Sequence, residues 1–216
     1  MKSGQRGFTL AEIAIVLIIV GLLLGGIFKG QELITQAKIR NIGNEFNNIS
    51  AAIALYQDRY KALPGDDARA GRWKIGGASL TPPAEAGNGR IEGAWNSSRN
   101  TDETRLFWAE LRLSGFIMGE TETLEGASAL PVHPMGGVFG VEQNNALGLG
   151  GGLMLCANRL PAKIAQALDT QLDNGDARTG ALRAIPETEA ATLPVSAPTT
   201  DYDESSDALY TVCRRI

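Results

Sequence analysis

The chain reads as an α+β protein in which one long N-terminal helix precedes a glycine-rich stretch and a set of short strands. Three observations carry this reading. An unbroken apolar run extends from Phe8 to Phe28, no proline occurs before Pro64, and short segments of β character follow Val132.

The apolar run comes first in the chain and is its densest block. Of its 21 residues, 16 are apolar, three are glycine (Gly21, Gly25, Gly26), and only Thr9 and Glu12 are polar. At ~1.5 Å per helical residue the run spans ~30 Å, the thickness of a bilayer's hydrocarbon core. The preceding Lys2 and Arg6, with no acid among them, keep the first residues on the cytoplasmic side and send the rest of the chain outward. A cleaved secretory signal would have a shorter apolar core followed by small residues, whereas Phe28-Lys29-Gly30-Gln31-Glu32 follows here. A plain membrane anchor accounts for length and flanking charge but leaves Glu12 unexplained. A carboxylate inside a spanning helix costs up to roughly 2.5–3.5 kcal/mol on insertion scales and by default marks function.

Past the run, Ile39, Ile42, Phe46, Ile49, Ile53 and Tyr56 recur at three- and four-residue steps, so the helix is predicted to continue to about Lys61. Leu63-Pro64-Gly65-Asp66-Asp67 is a stop-and-turn signal. The amphipathic outer half of the helix should lie against a sheet. Residues 65–152 hold 17 of the 26 glycines, with Pro82-Pro83 and three tryptophans, Trp73, Trp95 and Trp108, which read as core plugs for a loop-rich region. Within this stretch Asp102 is placed to cap a helix ending at Leu113. Strands are predicted at 137–141, 153–157 and 208–213, with a helix over 161–172 between the last two.

Composition removes most chemistry. A single histidine, His133, and two cysteines exclude sites that need two imidazoles or four thiolates. His133 lies in a turn, Pro131-Val132-His133-Pro134, and Ser114 and Ser128 have no nucleophile signature around them. A membrane-anchored enzyme or receptor is therefore the less favoured class. Seven basic residues between Arg69 and Arg112 are opposed by Glu85, Glu92, Asp102, Glu103 and Glu110, which describes a mixed solvated surface and supports no nucleic-acid partner.

Gly7-Phe8-Thr9-Leu10-Ala11-Glu12, after a short basic leader and before an uninterrupted apolar helix, resembles the class III signal of type IV pilins and type II secretion pseudopilins. The resemblance implies that a prepilin peptidase cuts after Gly7 and that Phe8 becomes the N-methylated terminus. It implies that Glu12 is the acid that pairs with the new α-amino group, within a subunit or between neighbours. It also implies a homo-oligomeric or mixed pilin filament, built from the inner membrane by an assembly platform and an ATPase. The filament is a surface pilus serving adhesion, motility or uptake or, as the alternative, a secretion pseudopilus in the periplasm. The fold implied is type IV pilin-like: a helical spine packed on a small antiparallel sheet, a long glycine-rich αβ-loop and a disulfide-closed C-terminal region. Residues 1–7 would be the leader, 8–28 the membrane and polymerisation helix, 29–63 its amphipathic continuation and 64–216 an exported head. Many type IV pilins have a proline where this chain has Lys29.

With the head in an oxidising compartment, Cys156 and Cys213 are expected to pair, as pilins commonly close a C-terminal loop; two free thiols are the other reading. No cofactor is expected; calcium, which some pseudopilins hold in a C-terminal loop, is the weaker alternative. Asp173 and Asp176 are the candidate ligands, although Asp173-Asn174-Gly175-Asp176 does not have EF-hand spacing and is first a turn sequence.

Overall fold

The computed structural model describes residues 9–187 and 192–216. They fall into two compact units, one ending at Lys38 and one formed by Ile39–Ile216. Helix α1 (Leu10–Tyr60) has residues in both. In the second unit it is followed by the two-residue strands β1 (Lys74–Ile75) and β2 (Ala78–Ser79), then by α2 (Glu103–Leu113), α3 (Leu124–Ala127) and β3 (Phe139–Glu142). Strand β4 (Met154–Pro161), α4 (Ala162–Leu172), β5 (Leu182–Pro186) and β6 (Leu209–Arg215) complete it. The four long strands form one antiparallel sheet in the order β3-β4-β6-β5.

Alternation along the strands divides the sheet's two faces cleanly. Phe139 and Val141 of β3, Leu155 and Ala157 of β4, Leu182 and Ala184 of β5, and Tyr210 and Val212 of β6 share the main core with α1 and α4. From α1 this core takes Ile42, Phe46, Ile49, Ile53 and Tyr56, the residues whose spacing predicts an inward face. Gly43 lets α4 come close, since a Cβ there would lie 2.8 Å from Gln171 Nε2. On the opposite face Met154, Cys156 and Cys213 form a second, smaller apolar layer with Trp95, Ala146, Leu147 and Leu149. Trp95 lies over Gly140 of β3, where a Cβ would stand 2.8 Å from the indole Cε3. Trp108 is completely buried in the main core, so two of the three tryptophans plug the head as expected, and Trp73 is half-buried.

The strands at 137–141, 153–157 and 208–213 are found with shifted ends, and the helices at 103–113 and 162–172 are found. Asp102 stands at the N-cap of α2 with extended backbone, but its carboxylate caps nothing. It accepts instead from Ser97 Oγ at 2.7 Å and Arg99 Nε at 2.9 Å, closing the loop before the helix. Strand β5 lies outside the expected set. Arg183 and the terminal Pro186 interrupt its apolar pattern, and its strand identity comes from pairing with β6.

The stop signal after α1 proves to be a buried hub. Lys61 takes a left-handed φ of 53°, and Pro64 through Asp67 are buried. The Asp66 carboxylate accepts from the backbone N–H groups of Gly87, of Asn88 at 3.1 Å and of Gly89 at 2.7 Å, tying the glycine-rich loop to the end of the helix. The Asp67 carboxylate pairs with Arg72 at 2.8 Å and accepts from Tyr56 Oη at 3.0 Å. Glu110 of α2 accepts from Gly65 N–H at 2.8 Å and lies 2.9 Å from the same Tyr56 hydroxyl. One hydroxyl proton cannot serve two carboxylates. Burial raises Glu110 to about 8, so at neutral pH it keeps the second proton and completes the Glu110–Tyr56–Asp67–Arg72 chain.

Glu103 is likewise raised to about 8, by burial and then by the carboxyl of Glu92 beside it. An acid raised in the folded state holds a proton that the unfolded chain has lost. Stability from these two groups is therefore fully present below about pH 4.5 and is lost as pH rises to about 8, by on the order of a few kcal/mol. Chemical denaturation at stepped pH should show this decline, and Glu103→Gln with Glu110→Gln should flatten it.

Candidate functional site

The N-terminal turn of α1 is built by three residues of the signal. Thr9 precedes the first helical residue, Leu10, and Glu12 is the third residue of the helix. The Glu12 Oε2 accepts from Thr9 N–H at 2.8 Å and from Thr9 Oγ1–H at 2.9 Å, while Thr9 Oγ1 accepts from Glu12 N–H at 3.2 Å. This is a capping box: hydroxyl and carboxylate each satisfy a backbone donor that a helix start leaves free. The spacing Thr-x-x-Glu was the available signal for it in the sequence. Glu12 thus has a local task in addition to the pairing expected of it. Gly7 and Phe8, the expected processing residues, lie outside the described residues.

From Leu10 to Phe28 the large apolar side chains are exposed, from 44% at Val20 to 92% at Leu10. The helix contains an 18-residue window of mean hydropathy 2.7, long and apolar enough to cross a membrane. A Cβ added at Gly21, Gly25, Gly26 or Gly30 would meet no atom within 4 Å. These glycines are spaced by four residues in two pairs, 21 with 25 and 26 with 30, the spacing that lets two helix backbones approach closely in lipid. Such a surface is stable only when covered by acyl chains or by other helices.

The head's expected sites are placed as follows. Cys156 and Cys213 are bonded to each other, stand directly opposite across β4 and β6, and are fully buried. Asp173 Oδ2 accepts from Ala181 N–H at 2.6 Å and Leu182 N–H at 3.0 Å, bracing the entry to β5. Asp176 pairs with Arg178 at 2.8 Å, and that guanidinium holds its carboxyl down at about 2. The two calcium candidates are thus each engaged by the chain's own donors, and among the described residues no three His, Cys, Asp or Glu converge as a metal set. His133 is buried between the Asn158 carbonyl, 2.8 Å from Nε2, and the Met135 N–H, 3.3 Å from Nδ1. Burial lowers its pKa, which leaves a neutral ring with Nε2–H donating and Nδ1 accepting. Of the basic residues before Arg112, Arg72 and Arg99 pair with acids, and Arg105 donates to the carbonyls of Ser97 and Ser128.

No curated protein and no solved structure matches the chain. Its first residues do match: positions 2–28 fit the family model described as the prokaryotic N-terminal methylation motif. They cover the basic leader, the glycine, the capped turn and the exposed apolar helix, and the chain accordingly carries the class III signal of type IV pilins and pseudopilins.

Proposed function

We propose that this protein is a type IV pilin-like subunit, cut after Gly7 by prepilin peptidase, N-methylated on Phe8 and polymerised through its N-terminal helix into a surface filament. The single observation that carries the reading is the capped N-terminal helix whose apolar surface is exposed from Leu10 to Phe28 and whose residues belong to the methylation motif. In the precursor, residues 1–7 stay cytoplasmic, 8–28 span the inner membrane, 29–63 hold the amphipathic continuation, helical to Tyr60, and 64–216 form the exported head. In the filament the same helix exchanges lipid for other helices. That contact is head-to-tail and does not close, so it yields fibres and not rings. An assembly platform and an ATPase extract the subunit, because leaving the bilayer opposes the burial of the whole apolar run.

A pseudopilin of a type II secretion system is the second reading; Lys29, at the position where many type IV pilins have proline, departs from the standard major-pilin pattern. Both readings share the same processing, and both are structural roles.

Mass spectrometry of the protein purified from its host tests the common part. The expected N-terminus is N-methyl-Phe8, and Gly7→Val should leave the leader attached because a branched side chain no longer fits where a bare backbone entered the peptidase. An intact Met1 on the wild-type protein would overturn both readings. Electron microscopy of cells lacking the protein, alongside a secretion assay, then separates them: lost surface filaments mark a pilus, lost secretion a pseudopilus.

A further inference from the structure

The sheet face that lies opposite α1 carries two arginines that no acidic side chain among the described residues pairs with. Arg183 of β5 stands opposite Cys213 of β6, and Arg215 is two residues further along β6. Alternation therefore puts Cys213, Arg183 and Arg215 on one face, with the two arginines as diagonal neighbours, roughly 7–8 Å apart along the backbone. Neither is in an ion pair among the described residues, where the ion pairs engage other side chains.

The Arg183 guanidinium is held in place from one side only. Its Nη1 donates to the Leu147 and Gly148 carbonyls, each at 2.9 Å, whereas its Nε is buried without an acceptor. A buried charged donor left open is costly, and two like charges set side by side add repulsion. A bound oxyanion lying between the two guanidinium groups removes the repulsion.

The surroundings provide the room. A cleft of about 570 Å³ is lined by both arginines together with Gly148, Gly180 and Ala181. The glycine-rich loop passes beside the two side chains: a Cβ at Gly148 would come to 2.9 Å from Arg183 Nη1, and one at Gly152 to 3.4 Å from Arg215 Nε. Larger residues at these positions would crowd the guanidinium groups. Of the acids flanking β5, Asp173 is spent on the Ala181 and Leu182 amides and Glu187 accepts from the Arg159 amide.

We propose that the Arg183–Arg215 cleft is a binding site for an oxyanion group, a phosphate or carboxylate carried by an external ligand. Planar guanidinium groups match both chemistries through paired N–H donors. The site does not depend on the filament reading, since it is defined wholly by the head.

The test uses the full-length protein in neutral detergent, titrated with inorganic phosphate or with acetate at constant ionic strength set by chloride. Thermal unfolding and calorimetry are the readouts. Saturable binding of phosphate is expected, weakened about tenfold by Arg215→Gln, with the unfolding midpoint of that variant unchanged when no oxyanion is added. Arg215 is exposed, so its replacement leaves the core intact. Saturation by phosphate alone assigns a phosphate-bearing ligand, and saturation by acetate as well assigns a carboxylate-bearing one. No saturable response to either anion beyond that of chloride, or an equal response in Arg215→Gln, would overturn the site.

Discussion

Glu12→Gln is expected to abolish filament assembly, whereas Thr9→Ala should leave it largely intact. The two substitutions separate the two tasks that Glu12 can have. Within the chain its carboxylate is one half of a capping box with Thr9, and a glutamine at the same position can still accept the Thr9 N–H bond. The cap is worth about 1 kcal/mol, a small term beside a helix of 51 residues. Pairing with the α-amino cation of a processed Phe8 requires the negative charge itself. In a low-dielectric filament core, each charge alone would cost several kcal/mol and the pair is tolerable. Filament yield by shearing and electron microscopy is the measurement, with mass spectrometry confirming that both variants are cut after Gly7. Loss in Thr9→Ala with normal assembly in Glu12→Gln would assign Glu12 to helix capping and remove the proposed charge pair.

The second large effect belongs to the disulfide. Replacing Cys156 and Cys213 together by alanine is expected to destabilise the head by about 4 kcal/mol, from the chain entropy released when a link between residues 57 apart is removed. The bond also joins β4 to β6 at the centre of the sheet, opposite residues in a register that both flanking strands share. Serine would cost more than alanine, because each hydroxyl would enter the apolar layer formed with Trp95, Leu147 and Met154. Denaturant unfolding of wild type, the two double variants and the reduced wild-type protein measures both terms. A loss below about 1 kcal/mol in the alanine variant would show that strand pairing alone fastens β6.

The three buried acids at the end of α1 show where reading residues one by one stops. Asp66 and Asp67 appear in the sequence as turn formers, and Glu110 as one charge on a mixed surface. In the fold all three are buried, and they hold the end of α1, the glycine-rich loop and α2 to each other. Their partners are up to 54 residues distant, so no local pattern contains them. Arg183 and Arg215 are a similar case. Each is an unremarkable basic residue in a strand until the register of β5 on β6 makes them neighbours.

By itself the sequence determined the features that depend on contiguous residues. These are the apolar run and its basic leader, the helix that follows, the amphipathic face from Ile39 to Tyr56 and the methylation motif over residues 2–28. Periodicity and composition encode them because a helix makes its own hydrogen bonds and a membrane asks only for length and apolarity. Tertiary structure alone decided the strand order, the existence of β5, the direct opposition of Cys156 and Cys213, the clustering of buried acids and the neighbouring of Arg183 and Arg215. Strand partners and buried charges are fixed by residues far away in the chain, where the gain on pairing or burial is shared between segments that neither one specifies alone.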